Sequence, residues 1–474
     1  MFIRQIFANI KFVFLFFLLV FGSTLSFAQS ENERIKMLEE KLNQVTQELD
    51  EMRSVGGSDN ERLDKIEKNI SILADEISQV KAESVGEESN IELKEIFGGA
   101  PGASKVYQKV GSGLSIGGYG ELAIGRIPDD GNNIIDTQRV VMYLGYKFTD
   151  HIIFNSELEF EHASTSSNLD GQDGSVSVEF AYLDFLLKDY LNIRGGLLLV
   201  PVGITNEQHE PTTFYGVFRP SVETQIIPTT WRENGLGLHG GFDFASAGNL
   251  SYKAYLMNSA DSRGFKAANN RGIRTRGNRS RFNDVAFVSR LDYYPVPSVR
   301  VGGSMYLGNT GQDVSVSNAD SPLDGDKIKG FWQIYEADAQ FKWRGLDLRG
   351  LITWTFLDDA DEINANLGFT GDDSVGSKQF GYYIVAAYNV LGEMNLQSRY
   401  LQNLSPFFRF EDYDTQKSVP TGFLRNPEND RREYTFGLDY KPIPNVVVKI
   451  DYQFLDNEAG NDNNQLNFGL GYVF

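Results

Sequence analysis

The chain has 474 residues, a formal charge of −20, 47 glycines, 34 phenylalanines and 22 tyrosines, no cysteine, and 41% hydrophobic residues. Zero cysteines exclude a disulfide framework and any thiolate nucleophile or thiolate metal site; the acidity excludes a nucleic-acid partner; the hydrophobic fraction suits neither a disordered chain nor a bundle of membrane helices. What it does suit is strands that are apolar on one face only.

In chain order, Arg4 and Lys11 precede an apolar run over 12–21, and Ser26-Phe27-Ala28 offers small residues where a signal peptidase reads. Residues 1–28 are expected to be a signal peptide, and their loss takes the charge from −20 to −22. Residues 29–84 change period. Ile35, Leu38, Leu42, Val45, Leu49 and Met52, then Leu63, Ile66, Ile70, Leu73, Ile77 and Val80, step by three and four. The register survives the Gly56-Gly57 interruption, so one continuous coiled coil and a helix hairpin turning at the glycines both stay open. Either needs a partner for its narrow seam, through self-association or docking onto the rest of the protein. Residues 85–110 read as a linker.

From residue 111 to 474 the period is two. Strands are expected at 112–126, 137–149, 152–163, 175–188, 191–201, 232–244, 250–258, 283–294, 298–308, 330–343, 346–357, 378–390, 394–402, 432–441, 445–455 and 465–474. Connections after even strands are short, as at Asp150-His151, Asp189-Tyr190 and Gly345; those after odd strands are long and polar. The last strand sets Leu466, Phe468, Leu470, Tyr472 and Phe474 on one face and Gln465, Asn467, Gly469 and Gly471 on the other. The pattern predicts an all-β transmembrane barrel of about 16 antiparallel strands, preceded by an α-helical coiled coil. A soluble sandwich also alternates but leaves the loop rhythm and the aromatic terminus unexplained.

Such a barrel is wide enough for an aqueous channel. Its third long loop, 202–230, follows Pro201 and contains Pro211, Pro220 and Pro228, which stop it pairing as strand, and Phe214, Tyr215, Val217, Phe218, Ile226 and Ile227, which need a surface to pack on. The lumen wall is one such surface; a flap over the barrel mouth or at a trimer contact is the other reading.

The stretch Leu199-Val200-Pro201-Val202-Gly203, with Glu207, Glu210-Pro211, Phe218-Arg219-Pro220 and Trp231-Arg232-Glu233-Asn234-Gly235, resembles a strand, third loop and next strand of the phosphate-selective porins O and P. The resemblance extends loosely over 111–474. It implies a homotrimeric outer-membrane channel in a Gram-negative bacterium, a periplasmic coiled coil, and a lumen whose basic side chains pass small anions such as phosphate or polyphosphate. It carries Arg219 and Arg232 over as basic groups at the constriction.

Strand alternation turns Arg139, Lys147, Arg194, Lys253, Arg290, Arg300, Lys342, Arg344, Arg349 and Arg399 inward, along with Glu157, Glu159, Glu161, Asp292, Glu336, Asp338, Asp439 and Asp451. These either line a pathway for anions or pair across strands. The fourth long loop is basic, with Arg263, Lys266, Arg271, Arg274, Arg276, Arg279 and Arg281 against Asp261 and Asp284. It suits a funnel for anions or a clamp on lipopolysaccharide phosphates. Lipid, lipopolysaccharide and small anionic solutes are the expected partners. No cofactor, metal site or catalytic residue is expected, since His151, His162, His209 and His239 show no converging nucleophile or ligand set in sequence. A general diffusion porin and an envelope tether are the competing functions.

Overall fold

Short turns force each strand beside the one before it, and alternation gives every strand one apolar face to bury or to present to lipid. The computed structural model describes residues 95–109, 111–126, 133–318, 323–392, 394, 400–401, 403–461 and 463–474. The expected signal peptide and coiled coil, and residues 85–94 and 110 of the linker, lie outside them.

The strands are β1 (Gly113–Arg126), β2 (Asn133–Thr149), β3 (Ile152–Glu161), β4 (Ser175–Lys188), β5 (Leu191–Leu199), β6 (Arg232–Asp243), β7 (Asn249–Asn258), β8 (Val285–Val296), β9 (Val299–Asn309), β10 (Phe331–Trp343), β11 (Leu346–Leu357), β12 (Lys378–Tyr388), β13 (Asn403–Ser418), β14 (Asp430–Ile443), β15 (Val446–Asn457) and β16 (Gln465–Val473). Each pairs antiparallel with its neighbours, and β1 closes on β16 in the register Tyr119↔Val473 to Arg126↔Leu466, giving a closed barrel. Phe474 extends the seam by exchanging backbone hydrogen bonds with Gly118 at 2.8 and 3.0 Å. No helix among the described residues is long and apolar enough to cross a membrane. Short helices α1 (Lys105–Gln108), α2 (Val222–Gln225) and α3 (Ala360–Leu367) lie outside the sheet.

The outer face is apolar, with Leu114, Met142, Leu183, Leu238, Trp354, Phe436 and Tyr472 exposed. Of the expected strand at 394–402, residues 395–399 and 402 lie outside the described residues. The thirteenth strand is β13, in residues read as part of a loop, with Ser405, Phe407, Arg409, Glu411 and Tyr413 buried. A proline is disfavoured inside a central strand, and Pro406 lies within β13. It is tolerated because β12 pairing begins only at Phe407, so the missing N–H of Pro406 has no ladder partner to lose.

The barrel is not hollow. Residues 200–231 fold inward between β5 and β6, where Val202, Ile226, Ile227 and Trp231 pack with Tyr255, Tyr306, Trp332 and Tyr383 of the wall and with Phe265 and Ile273 of the fourth loop. Trp231 lies 4.8 Å from Tyr306 and 5.6 Å from Trp332, ring centre to ring centre. Trp231→Ala is expected to cost about 3–5 kcal/mol through lost burial and the cavity left behind. It should lower the thermal midpoint of the purified protein in detergent; an unchanged midpoint would show that the loop packing adds no stability.

Candidate functional site

An irregular segment inside a barrel has no ladder to satisfy its backbone, so the wall must supply donors and acceptors. It does so with charges. Lys441 donates to the Thr212 carbonyl at 2.7 Å, Arg349 to Thr213 at 2.6 Å, and Lys449 to Phe214 and Gly216 at 2.8 Å each. Arg409 donates to Tyr215 and Phe218, both at 3.1 Å, and Arg290 to Gly203 at 3.1 Å. The wall carboxylates take the amides: Asp451 accepts from Val217 at 2.6 Å and Glu411 from Val222 at 3.0 Å. Within the loop, Glu223 accepts from the Thr205 amide at 2.7 Å and from Tyr383 Oη at 2.6 Å. Gly216 turns the chain at φ +86, where an added Cβ would lie 3.2 Å from Phe407.

At the short-turn end of the lumen, the second half of the expected linker is packed inside the barrel. Ala103 N donates to Glu210 Oε1 at 3.1 Å and Ala103 O accepts from Asn155 at 2.8 Å. Tyr107 Oη donates to Asp184 at 2.7 Å, Phe97 lies 4.8 Å from the His239 ring, and Lys147 donates to Lys109 O at 3.0 Å. Where this segment meets the third loop, His209 faces Glu157 and Glu179, each at 3.3 Å. Burial alone would depress the imidazole, but the Glu157 carboxylate lifts it to about 10; burial pushes the adjoining Glu210 up to about 7.

At the long-loop end a vestibule of about 450 Å³ is lined by Arg139, Arg219, Arg271 and Arg431 with Glu121 and Glu433. Arg139 pairs with Glu121 at 3.0 Å, and Arg219 donates to the His209 carbonyl at 3.3 Å. Arg271 and Arg274 leave the basic fourth loop to donate to the Thr229 carbonyl at 2.7 and 3.1 Å. Burial, then the neighbouring Arg271, Arg276 and Arg232, push the Arg274 guanidinium down to about 9.

Arg139, Lys147, Arg194, Lys253, Arg290, Arg300 and Arg349 are buried or half-buried on the strand faces opposite the exposed apolar side chains, and Lys342 is exposed. Arg194 pairs with Asp184 at 2.7 Å, Lys253 with Glu207 at 2.5 Å, Arg290 and Arg300 with Asp338 at 2.7 and 2.8 Å, and Arg232 with Glu179 at 2.8 Å. Arg344 is corrected. It is a turn residue at φ 45 whose guanidinium lies 5.1 Å from the ring of outward-facing Trp343, because alternation stops where the strand does. Arg399 lies outside the described residues. Arg263, Arg276, Arg279 and Arg281 are exposed, the first on Asp261 at 2.5 Å. Sequence reading left Arg409, Lys441 and Lys449 out of the inward basic set. The two lysines stood on polar faces already legible from alternation; Arg409 went missing with β13.

The class defined by this architecture is the 16-stranded, porin-type barrel with an infolded third loop. OmpF of Salmonella typhi, in complex with daunomycin, is similar in fold, with a TM-score of 0.50 at 15% identity over 77% of this chain and 98% of that one. An anion-selective porin from Comamonas acidovorans matches at 12% identity and a TM-score of 0.46, over 77% of this chain and all of that one. No family model matches the chain. An uncharacterized protein of Aquifex aeolicus (strain VF5) is 37% identical over 390 residues, 80% of this chain and 84% of that one, and the chain belongs to its family.

Arg409 is 1% exposed and pairs with Glu411 at 2.8 Å while holding two loop carbonyls. Arg409→Ala strands that carboxylate and should cost about 3–5 kcal/mol. Limited proteolysis should then cut within 212–219 in the variant and not in the parent; equal resistance would contradict the docking role.

Proposed function

We propose that the chain is an outer-membrane porin of a Gram-negative bacterium, a passive channel for small anions whose narrow zone is formed by residues 200–231 and, at the short-turn end, by residues 95–109. The observation that carries the reading is the vestibule, where four guanidinium groups stand against two carboxylates directly above the third loop. Arg139, Arg219 and Arg271 have partners there, on Glu121 and on the His209 and Thr229 carbonyls, but four guanidinium groups against two carboxylates leave the vestibule net positive, and that local excess decides which ions approach. Screening over about 8 Å at physiological salt keeps the acids of the outer loop tips from overriding it. Guanidinium is weakly hydrated and forks onto oxyanions, which suits stepwise replacement of a phosphate hydration shell. The likeness of 195–240 to phosphate-selective porins favours phosphate or polyphosphate within that class.

In this reading the short turns and the coiled coil of 29–84 face the periplasm, and the coil adds to a homotrimer. The exposed Arg263, Arg276, Arg279 and Arg281 lie on the long-loop side, where lipopolysaccharide phosphates are met. Reversal potentials in a planar bilayer under a salt gradient test the selectivity. The expected sign is anionic, weakened in turn by Arg139→Gln, Arg219→Gln and Arg271→Gln, with phosphate reducing chloride current. A cationic sign, or a preference untouched by all three changes, would leave a general diffusion porin; no open-channel steps at all would favour an envelope tether. Replacing 95–109 by a Gly/Ser stretch of equal length should raise single-channel conductance, and unchanged conductance would remove that segment from the narrow zone.

A further inference from the structure

Away from the vestibule, three side chains from distant parts of the chain converge under the third loop. We propose that Glu157 of β3, Glu179 of β4 and His209 of the loop bind one divalent transition-metal ion of the zinc class, tying the loop to the barrel wall. The inference does not depend on which solutes the lumen passes.

His209 Nε2 lies 3.3 Å from Glu157 Oε1 and 3.3 Å from Glu179 Oε2, and the ligand atoms of all three residues lie within 4.8 Å of one another. Zinc with nitrogen and oxygen ligands at about 2.0–2.1 Å in tetrahedral array sets those ligands about 3.3–3.4 Å apart, the spacing seen about Nε2. One Nε2 proton serves at most one of the two carboxylates. Glu179 Oε2, 3.3 Å from Nε2, has no hydrogen-bond partner, and neither has Glu157 Oε2, although both residues are 0% exposed. An unsatisfied buried carboxylate oxygen is costly, and a cation seated between His209 Nε2 and the two carboxylates would relieve both.

The surrounding groups hold the ligands in place. The Nδ1 atom of His209 is 2.9 Å from the Asn206 carbonyl, which can only accept, so Nδ1 carries hydrogen and Nε2 points at the acids. Arg232 donates to Glu179 Oε1 at 2.8 Å, leaving Glu179 Oε2 for a metal, and Tyr119 Oη donates to Glu157 Oε1 at 3.2 Å, an oxygen with a second lone pair to turn to the ion. A cavity of about 30 Å³ borders Glu157 and His209, room for one water as a fourth ligand. The single imidazole selects against calcium and magnesium, which take all-oxygen sets. The ion and the Nε2 proton compete for one place, so binding releases that proton.

Cobalt(II) titration of the full chain in detergent, after chelator treatment and dialysis, tests this. One Co²⁺ per chain should bind with the visible band of a tetrahedral site, and Zn²⁺ should displace it. His209→Ala should lose the band and Glu210→Gln, one residue away, should keep it; should the alanine variant not fold, Glu179→Gln serves in its place. A folded parent chain that takes up no Co²⁺ would overturn the proposal and leave a protonated histidine between two acids. So would Co²⁺ uptake that the His209→Ala and Glu179→Gln chains retain in full.

Discussion

Everything inside this barrel depends on one constraint: a proline-interrupted segment cannot pair as a strand, yet its polar backbone is enclosed and must be hydrogen-bonded. The wall solves this with ionised groups. Lysines and arginines at 349, 409, 441 and 449 hold carbonyls of 212–218, and Glu411 and Asp451 hold amides. Charge-assisted bonds are the stronger kind, and they fix the loop where neutral side chains would hold it loosely. Trp231, Ile226 and Ile227 then bury the opposite side of the loop against wall aromatics, so polar and apolar contacts press the same segment into one position.

That division of labour shapes the functional reading. A lumen rich in both signs of charge looks mixed when charges are counted, but most of its members are engaged with one another or with the loop. Arg290 and Arg300 share Asp292 and Asp338, and Arg194 is held by Asp184. The vestibule above the third loop keeps an excess of guanidinium over carboxylate groups. Selectivity in such a channel follows the local arrangement of free charge, while the sum over 474 residues governs little beyond solubility.

Much of the barrel was legible because a strand with one apolar face writes its period directly into the sequence. The inward reading of Arg139, Lys147 and Arg290 rests on alternation, and these side chains are buried or half-buried in the structure. The same rule failed at its edges. Extending it one residue past β10 misplaced Arg344, and setting the thirteenth strand at 394–402 left β13, with Arg409, in a loop. The loop's aromatic content announced that it packs on something, but the carboxylates and cations that receive it come from β8, β11, β13, β14 and β15, and no spacing encodes that. Residues 95–109 carry neither period and read as linker, although Phe97 and Tyr107 are the aromatic anchors that seat them. His209 showed the limit most clearly: its near neighbours Glu207 and Glu210 in sequence are not its ion-pair partners, and Glu157 stands 52 positions away.

Hydrogen exchange of the intact protein in detergent, read by mass spectrometry over 202–230, tests the central claim most directly. If wall charges satisfy the loop backbone, the amides of Thr205, Val217 and Val222 exchange as slowly as those of the flanking strands, and far more slowly than the exposed loop at 164–174. Exchange of 202–230 at the rate of that exposed loop would mean that the segment is not docked in the lumen, and the account would fail.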